Sequence, residues 1–270
     1  MKGHSYPSLS RPSWPQRMLR FGIGCLLLGA LVAALSGPSH RLGWLGFAPA
    51  LMALGVGLAL LLLGALAAII AFLIAQQRQI AINRGGAALA IVAALALVGY
   101  LLGWIQRGTS VPPIHEISTD LDDPPQFAAL IAERARDQAV NPPGYVREVM
   151  VRGAALDVPA AQRAAYPDVE PLQLRATLPE VMNAAADLAG ELDWDVVARD
   201  DAAGRLEATD TTFFFGFKDD VVMRARPDGE YTRIDLRSKS RVGLGDAGTN
   251  ARRVRRFLAD LRKRLSSDGS

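Results

Sequence analysis

One segment near the end of the chain combines the residue types that bind anions. The sequence RSKSRVGLGDAGTNARR, from Arg237 to Arg253, places hydroxyls, arginines and glycines just before a predicted helix. Free backbone N–H groups and the helix dipole favour negative charge at a helix N-terminus, and arginine adds charge-assisted hydrogen bonds. The segment therefore predicts an anion site, whose candidate residues are Arg237, Ser238, Ser240, Arg241, Gly243, Asp246, Asn250 and Arg253.

The same segment also has a purely structural interpretation, which the sequence leaves open. Asp246 would then cap the following helix or pair with Arg237 or Arg241, and the glycines would serve only a tight turn. A serine–lysine hydrolase at Ser238-Lys239-Ser240 is disfavoured. Alternate residues on a strand point to opposite faces, so Lys239 would not reach either serine.

Other polar residues give weaker candidates for catalysis. His115 precedes several aspartates in HEISTDLDD, but the other two of the three histidines lie in the apolar part of the chain. One histidine with carboxylates is a poor zinc set, so neither a metal nor a cofactor is expected. A hydrolase that uses Asp220, Asp246 or His115 stays as the alternative to a binding function.

Charge is distributed unevenly over the 270 residues. The first 106 residues contain seven basic and no acidic residues, so the remaining chain holds the other 23 basic residues against all 27 acidic ones. The single cysteine, Cys25, excludes an intramolecular disulfide. An apolar, weakly basic first part and a charged second part indicate a membrane segment followed by a globular domain.

Three apolar stretches are the candidate transmembrane helices, at about residues 21–35, 47–75 and 86–105. A span needs about 20 apolar residues, so the first is short. No charged residue lies inside them, which argues against a transporter or channel. The basic residues of the tail 1–20 and of the loop 76–84 predict that both lie in the cytoplasm. Everything after residue 105 is then periplasmic.

A cleaved signal peptide is the alternative for the first stretch. Ala34-Leu35-Ser36 follows a basic and then apolar start and has the small residues of a cleavage site. Retention is favoured because the tail before the apolar run is long for a signal. Cleavage would leave the periplasmic position of the C-terminal part unchanged.

The soluble part is predicted to be an α+β domain at residues 127–270, joined by a proline-rich linker at 106–126. An antiparallel sheet with two packed helices is expected, in the order β-α-β-β-β-β-α. Alternation in YTRIDLRSKSR predicts a strand with one apolar and one charged face. We expect the charged face to point outward. The predicted strands lie near 172–176, 194–199, 205–217, 221–227 and 231–241, and the sequence leaves a break near Thr211 open. The two main helices are expected near 178–192, where Thr177 and Glu180 form a capping box, and near 250–265, with one apolar stripe. Shorter helices are expected at 127–140 and 160–165.

Four motifs resemble an uncharacterised family, domain-of-unknown-function family 1499. They are HEISTD (115–120), YPDVEPLQL (166–174), FGFKDDVVMR (215–224) and RSKSRVGLGDAGTNARR (237–253). The resemblance covers roughly residues 114–265 and leaves out the apolar stretches. Gly245 and Ala247 depart from the more usual serine and leucine, which affects packing. The family has no assigned activity, so the resemblance implies a domain identity and an envelope setting but no chemistry.

These observations predict an inner-membrane protein with a periplasmic, non-catalytic domain that binds an envelope partner or an anionic ligand. The expected partners are the lipid bilayer and an anionic lipid or envelope protein, met by the arginines of the last helix. Nucleic acid is disfavoured because the topology exports these arginines. A periplasmic hydrolase and a structural accessory subunit of a membrane complex remain the alternatives.

Overall fold

The computed structural model describes residues 12–267, which form two compact units that divide at Trp104 and Ile105. The first eleven residues of the expected cytoplasmic tail, 1–20, lie outside the described residues. The last three residues of the expected domain, 268–270, do so too.

The first unit consists of long apolar helices. They are α1 (Trp14–Arg41), α2 (Phe47–Gln77) and α3 (Arg84–Thr109), of which the last continues into the second unit. By length and composition, α1 and α2 could cross a membrane. α1 is longer than the predicted stretch because a capping box at Ser13 starts it early. In α3 the apolar helix is the shorter Gly85–Tyr100, so the third span stays a prediction.

Glycines bring α1 and α2 into close contact. A Cβ atom on Gly22 would lie 2.7 Å from the carbonyl oxygen of Gly64, and one on Gly29 would lie 2.7 Å from that of Gly57. The glycines are seven residues apart on each helix, so they fall on one stripe that faces the partner. Small residues allow such backbone approach in helices that pack in lipid.

The sheet domain occupies the second unit. One sheet has the order β1-β8-β7-β6-β5, all antiparallel, and β4 pairs with β8 beyond β1 on the same edge; β2 and β3 form a separate hairpin. The strands are β1 (Glu116–Ser118), β2 (Glu148–Val151), β3 (Ala154–Asp157), β4 (Leu172–Leu174), β5 (Asp195–Asp200), β6 (Arg205–Thr211), β7 (Lys218–Asp228) and β8 (Tyr231–Ser240). The helices are α4 (Leu130–Arg136), α5 (Val158–Ala165), α6 (Leu178–Glu191) and α7 (Thr249–Ser267).

The predicted antiparallel sheet with packed helices is confirmed, but the domain contains more elements than predicted. Five elements precede β4, and the first of them, β1, comes from the stretch 106–126 that was expected to be a linker. Glu116–Ser118 joins the sheet because its backbone pairs with the free edge of β8 at residues 237–239.

Helices α6 and α7 cover one face of the sheet with an apolar core. Thr177 caps α6 in a capping box with Glu180, as the sequence predicts. Trp194 stacks on Phe257 of α7, with ring centroids 5.0 Å apart. Leu236 of β8 is fully buried in the same core. This face holds the sheet and the two helices together as a two-layer domain.

The prediction that the charged face of β8 points outward is wrong. Arg237 and Lys239 are 0% exposed, and Asp235 is equally buried. Residues 119–147, including α4, cover this face. The side chains meet opposite charges there, which is the condition under which charges are tolerated in an interior.

Strand β6 ends at Thr211, near the break that the sequence left open, and does not continue to Phe217. Residues 212–217 form a closed loop, because the Thr212 N–H donates to the carbonyl oxygen of Phe217 at 2.8 Å. Gly216 has φ +68°, which favours glycine and turns the chain. The loop places three consecutive phenylalanines, 213–215, at the end of the β6–β7 hairpin.

We predict that Gly57→Ala lowers the thermal unfolding midpoint of the full chain in detergent. The added methyl group would lie 2.7 Å from the backbone nitrogen of Ala33, and overpacking of this kind costs about 1–3 kcal/mol. Gly55→Ala is the matched control, since its methyl group would meet nothing within 4 Å. Equal midpoints for the two variants would contradict the close approach of α1 and α2.

Candidate functional site

Four of the eight candidate residues meet on the helix side of the sheet. The Ser238 hydroxyl donates to Asn250 Oδ1 at 2.7 Å and accepts a hydrogen bond from Arg253 at 3.0 Å. Asn250 Nδ2 donates to the hydroxyl of Ser240 at 3.1 Å. The strand end and the first turn of α7 are therefore joined by a closed polar network.

Arg253 of this network is neutralised by the protein itself. It donates to Asp210 at 2.8 Å and to Asp219 at 2.6 Å. Burial lowers the pKa of Arg253, but Asp219 and Asp210 outweigh it and hold the pKa above its usual value. Two carboxylates therefore surround one guanidinium, and this arrangement does not attract a further anion.

Asp246 occupies the position at which an external anion was expected. Its carboxylate accepts hydrogen bonds from the backbone N–H groups of Gly248 and Asn250, both at 2.8 Å. Gly243, with φ +95°, turns the chain into this corner, and its carbonyl accepts a hydrogen bond from Asn141 at 3.0 Å. Asp246 makes no salt bridge within residues 12–267, so it caps α7 without pairing with an arginine.

Arg237 lies on the opposite face of the sheet, beside Lys239. Arg237 donates to Glu116 Oε2 at 3.0 and 2.8 Å, and Lys239 donates to Glu116 Oε1 at 3.0 Å. The carbonyl of Gly144 accepts a second hydrogen bond from Lys239 at 2.7 Å. The guanidinium of Arg237 also lies 4.8 Å from the centroid of the Phe127 ring. Two buried cations thus share one carboxylate.

The pKa of Lys239 shows the electrostatic cost of placing two cations beside one carboxylate. Burial lowers its pKa to about 8, although Glu116 opposes the shift. Nearby Arg237 lowers the pKa further, because like charges disfavour protonation. Lys239 therefore loses its proton far more easily in the folded domain than in an unfolded chain.

Arg241 belongs to a second ionic group on the same face. It donates to both oxygens of Asp220, at 2.7 and 2.9 Å, and to Asp137 at 2.5 Å. Arg134 of α4 and the hydroxyl of Thr209 also donate to Asp220. This carboxylate is fully buried and already accepts hydrogen bonds on both oxygens. It is therefore not available as the general base of a hydrolase.

A third ionic group is centred on Asp235, which the sequence did not single out. Its carboxylate accepts hydrogen bonds from Arg224 and Arg226 at 3.0 Å and from Arg233 at 3.1 Å. Asp120, in the covering chain, adds a hydrogen bond from Arg233 at 2.9 Å. Arginines of β7 and β8 thus form ion pairs with the residues that cover this face of the sheet.

Glu207 binds the start of α4 in the way that an external anion was expected to bind the start of α7. Its oxygens accept hydrogen bonds from the backbone N–H groups of Ala128 and Leu130, both at 2.9 Å, at the start of α4. Phe127 and Leu130 pack on Val222 of the sheet beside it. A carboxylate of the sheet therefore anchors the helix that covers it.

The residues of the hydrolase alternative are separated from one another, and both of its carboxylates are occupied. Asp220 and Asp246 lie on opposite faces of the sheet and bind the groups described above. His115 is buried, and burial lowers the pKa of its imidazole, with Lys239 as the next cause. Within residues 12–267, no group of three His, Cys, Asp or Glu side chains has the arrangement of a metal site.

The outer face of α7 carries a group of accessible cations. Arg252, Arg262 and Lys263 are exposed and make no salt bridge within residues 12–267. Other α7 arginines are paired: Arg255 binds Asp168, and Arg264 binds Glu191 at 2.6 Å. Arg262 also borders a surface cleft between α7 and residues 168–172. The helix therefore presents accessible positive charge, which the predicted corner does not.

The fold and the site together define a two-layer α+β domain with an ionic layer on one face, preceded by apolar helices. The model of the family described as "Protein of unknown function (DUF1499)" matches residues 116–261, which is more than half of the chain, and the protein belongs to this family. No curated protein matches the chain significantly. The match begins at Glu116, so the family domain includes β1 and the whole ionic layer.

Sequence reasoning found the cations of this layer and missed most of their carboxylates. Glu116 stands in the motif HEISTD but was not identified as a partner of these cations, and Asp220 was considered only for a hydrolase. Asp235 lies in the strand whose alternation placed it on the charged face, whereas no sequence pattern singled out Glu207. The available signal was that acidic and basic residues alternate on the same face of neighbouring strands, and this pattern favours pairing.

We predict that Glu116→Ala strongly destabilises the domain. The variant leaves Arg237 and Lys239 buried without a carboxylate, which costs about 3–5 kcal/mol. Glu230→Ala is the control, because Glu230 and Arg175 form a salt bridge with side chains 71% and 74% exposed. Its loss costs about 1 kcal/mol or less. Urea unfolding of residues 105–270 measures both, and similar losses would refute the role of Glu116.

A second prediction concerns pH. The folded domain releases the Lys239 proton near pH 8, whereas the unfolded chain keeps it until its usual pKa of 10.5. Between these values the unfolded state binds more protons, so the wild type gains stability as pH rises. Relative to Lys239→Met, the gain from pH 7 to 9.5 is about 2 kcal/mol.

The same unfolding experiment, repeated at several pH values, measures this gain. Lys263→Met, at an exposed position of α7, shows how much of the pH dependence comes from general charge effects. A wild-type advantage over Lys239→Met that stays constant with pH would exclude a depressed pKa at Lys239.

Proposed function

We propose that the protein is a multi-pass inner-membrane protein that presents its DUF1499 domain on the periplasmic side as a non-catalytic binding module. The outer face of α7 is the binding surface, and the partner is an acidic envelope protein. The partner is either a separate envelope protein or a subunit of a membrane complex, in which case this protein is an accessory subunit of that complex.

The anchor is supported by the apolar helices. α1 runs without interruption through Ala34-Leu35-Ser36 and packs against α2 through Gly29 and Gly57. This packing favours retention of α1 over its removal as a signal peptide. Arg78 lies between α2 and α3, and Arg84 is the first residue of α3, which favours a cytoplasmic position for this loop. With α3 as a third span, the domain lies outside.

The binding surface is supported by a group of exposed cations on α7 that make no salt bridge within residues 12–267; Arg147 and Arg152, beside the β2–β3 hairpin, are other exposed arginines of this kind. Arg252, Arg262 and Lys263 project from one exposed helix, whereas Arg237, Arg241 and Arg253 are bound by carboxylates. A field of this sign attracts acidic surfaces and speeds their association.

A protein partner is favoured over lipid headgroups by the position of these residues along α7. The helix begins at Thr249, next to the point where the chain arrives from α3, since Gly248 lies beside Val111. Arg262 and Lys263 follow about 20 Å further along the helix. Arg262 and Lys263 therefore lie far along the domain from the point of chain entry, which favours a soluble acidic partner over lipid headgroups.

Binding of polyglutamate to bacterial spheroplasts that produce the full chain tests both parts of the proposal. The polymer does not cross the inner membrane, so binding requires a periplasmic domain. We expect salt-sensitive binding that Arg262→Gln/Lys263→Gln weakens by about twofold to fivefold per charge. The control Arg163→Gln/Arg175→Gln removes two other exposed arginines, with side chains 61% and 74% exposed.

The outcomes separate the two parts. Binding that appears only after lysis of the spheroplasts would place the domain in the cytoplasm and refute the orientation. Binding that both double variants reduce equally would refute the α7 surface and leave a general charge effect.

A further inference from the structure

Apolar side chains are exposed together at one end of the sheet domain. Phe213 is 88% exposed and Phe214 40% exposed, in the loop between β6 and β7. Leu244, in the corner before α7, is 77% exposed, and Val140, after α4, is 75% exposed. We call these four residues the apolar rim. Exposed apolar residues that cluster in this way mark an interaction surface more often than scattered ones do.

Strand register places the rim at a single end of the domain. The loop 212–217 joins the end of β6 to the start of β7, where Lys218 accepts a hydrogen bond from the Arg241 N–H at 3.0 Å. Leu244 lies three residues after Arg241, in the corner before α7. Val140 is adjacent, because the next N–H, of Asn141, donates to the carbonyl of Arg241 at 3.0 Å.

The chain from the apolar helices enters the domain at this same end. Gly245 lies against Pro113, and the Asp246 N–H donates to the carbonyl of Ile114 at 3.2 Å. Only residues 110–115 separate α3 from β1. The chain therefore joins the domain to the last apolar helix at the end that carries the rim.

The length of this connection limits the distance to the bilayer. The predicted third span ends at residue 105, and α3 continues to Thr109, which adds about 6 Å. The stretch to Pro113 adds at most about 14 Å when fully extended. The rim is thus held within reach of the headgroup layer, which lies about 5–8 Å outside the hydrocarbon core on each side.

We propose that the apolar rim inserts into the interface of the bilayer in which the helices are anchored. This inference rests on the membrane anchor of the proposed function. The rim contacts the boundary between headgroups and acyl chains, where aromatic side chains are favoured. Phe213 and Phe214 enter first, and Leu244 and Val140 widen the contact.

The charges around the rim favour an apolar contact over an ionic one. Lys218, the basic residue that follows the phenylalanine loop, donates to Asp137 at 2.6 Å and so is neutralised within the domain. The opposite end of the sheet differs, since the β7–β8 turn consists of Asp228, Gly229 and Glu230. Insertion therefore does not depend on anionic lipid, and only one end of the domain is suited to it.

Fluorescence quenching in vesicles tests the insertion. The full chain, with Cys25→Ser to remove its only thiol, carries Phe213→Cys labelled with an environment-sensitive dye and is reconstituted in phosphatidylcholine. We expect blue-shifted emission and strong quenching by lipids brominated in the upper acyl chain, at the ~5–10 Å depth of interfacial segments. The control is the same label at Tyr231→Cys, 46% exposed on the opposite end, which stays unquenched.

A second variant tests whether the apolar side chains cause the contact. A label at Val140→Cys should be quenched in the wild-type rim and lose this quenching in Phe213→Ser/Phe214→Ser/Leu244→Ser. All three positions are exposed, so the variant leaves the buried core intact. Retained quenching in the triple variant would overturn the proposal.

The remaining outcomes distinguish the rim from the anchor. A chain that does not float with the vesicles refutes the anchor itself. A chain that floats while the labels at 213 and 231 are equally unquenched refutes the rim and leaves the anchor standing. Quenching that needs anionic lipid, or that salt removes, shows an ionic contact and overturns the apolar one.

Discussion

The carboxylate of Glu116 binds two buried cations, and the second face of the domain depends on this contact. Burial of Arg237 or Lys239 alone would cost several kcal/mol for each ion. The covering chain can therefore close only if carboxylates and carbonyl oxygens meet these groups. Glu116 supplies the charge from the edge strand, and the carbonyl of Gly144 completes the coordination of Lys239. The strand, the cover and the sheet consequently form one cooperative unit.

Local sequence patterns predicted those helices and strands well whose formation depends on residues close together in the sequence. The capping box of α6, the apolar stripe of α7 and the alternation of β8 all depend on residues within a few positions of each other. The exposure of the charged face of β8 was predicted wrongly. Periodicity shows that one face of a strand is charged and the other apolar, but it does not show what covers either face. The cover is decided by pairs such as Glu116 and Arg237, which are 121 residues apart in the sequence.

The candidate site shows the same limit in chemical terms. The residue types around Asn250 indicated that negative charge is favoured at the start of α7, and this is correct. The sequence pattern does not say which molecule supplies the charge. Asp246 supplies it here, as Glu207 does at the start of α4. An internal carboxylate needs no association entropy, so it occupies such a position whenever the chain can bring one there.

The ionic layer also restricts where the domain can bind other molecules. A shift of β8 by one residue would turn Arg237 and Lys239 into the apolar core and Leu236 into the ionic layer, so the charges fix the register. Residues with this role cannot exchange their partners for a ligand without opening the fold. Recognition must therefore use side chains outside the layer. The exposed face of α7 and the end of the sheet where the chain enters both lie outside the layer, so the contacts proposed there leave its ion pairs intact.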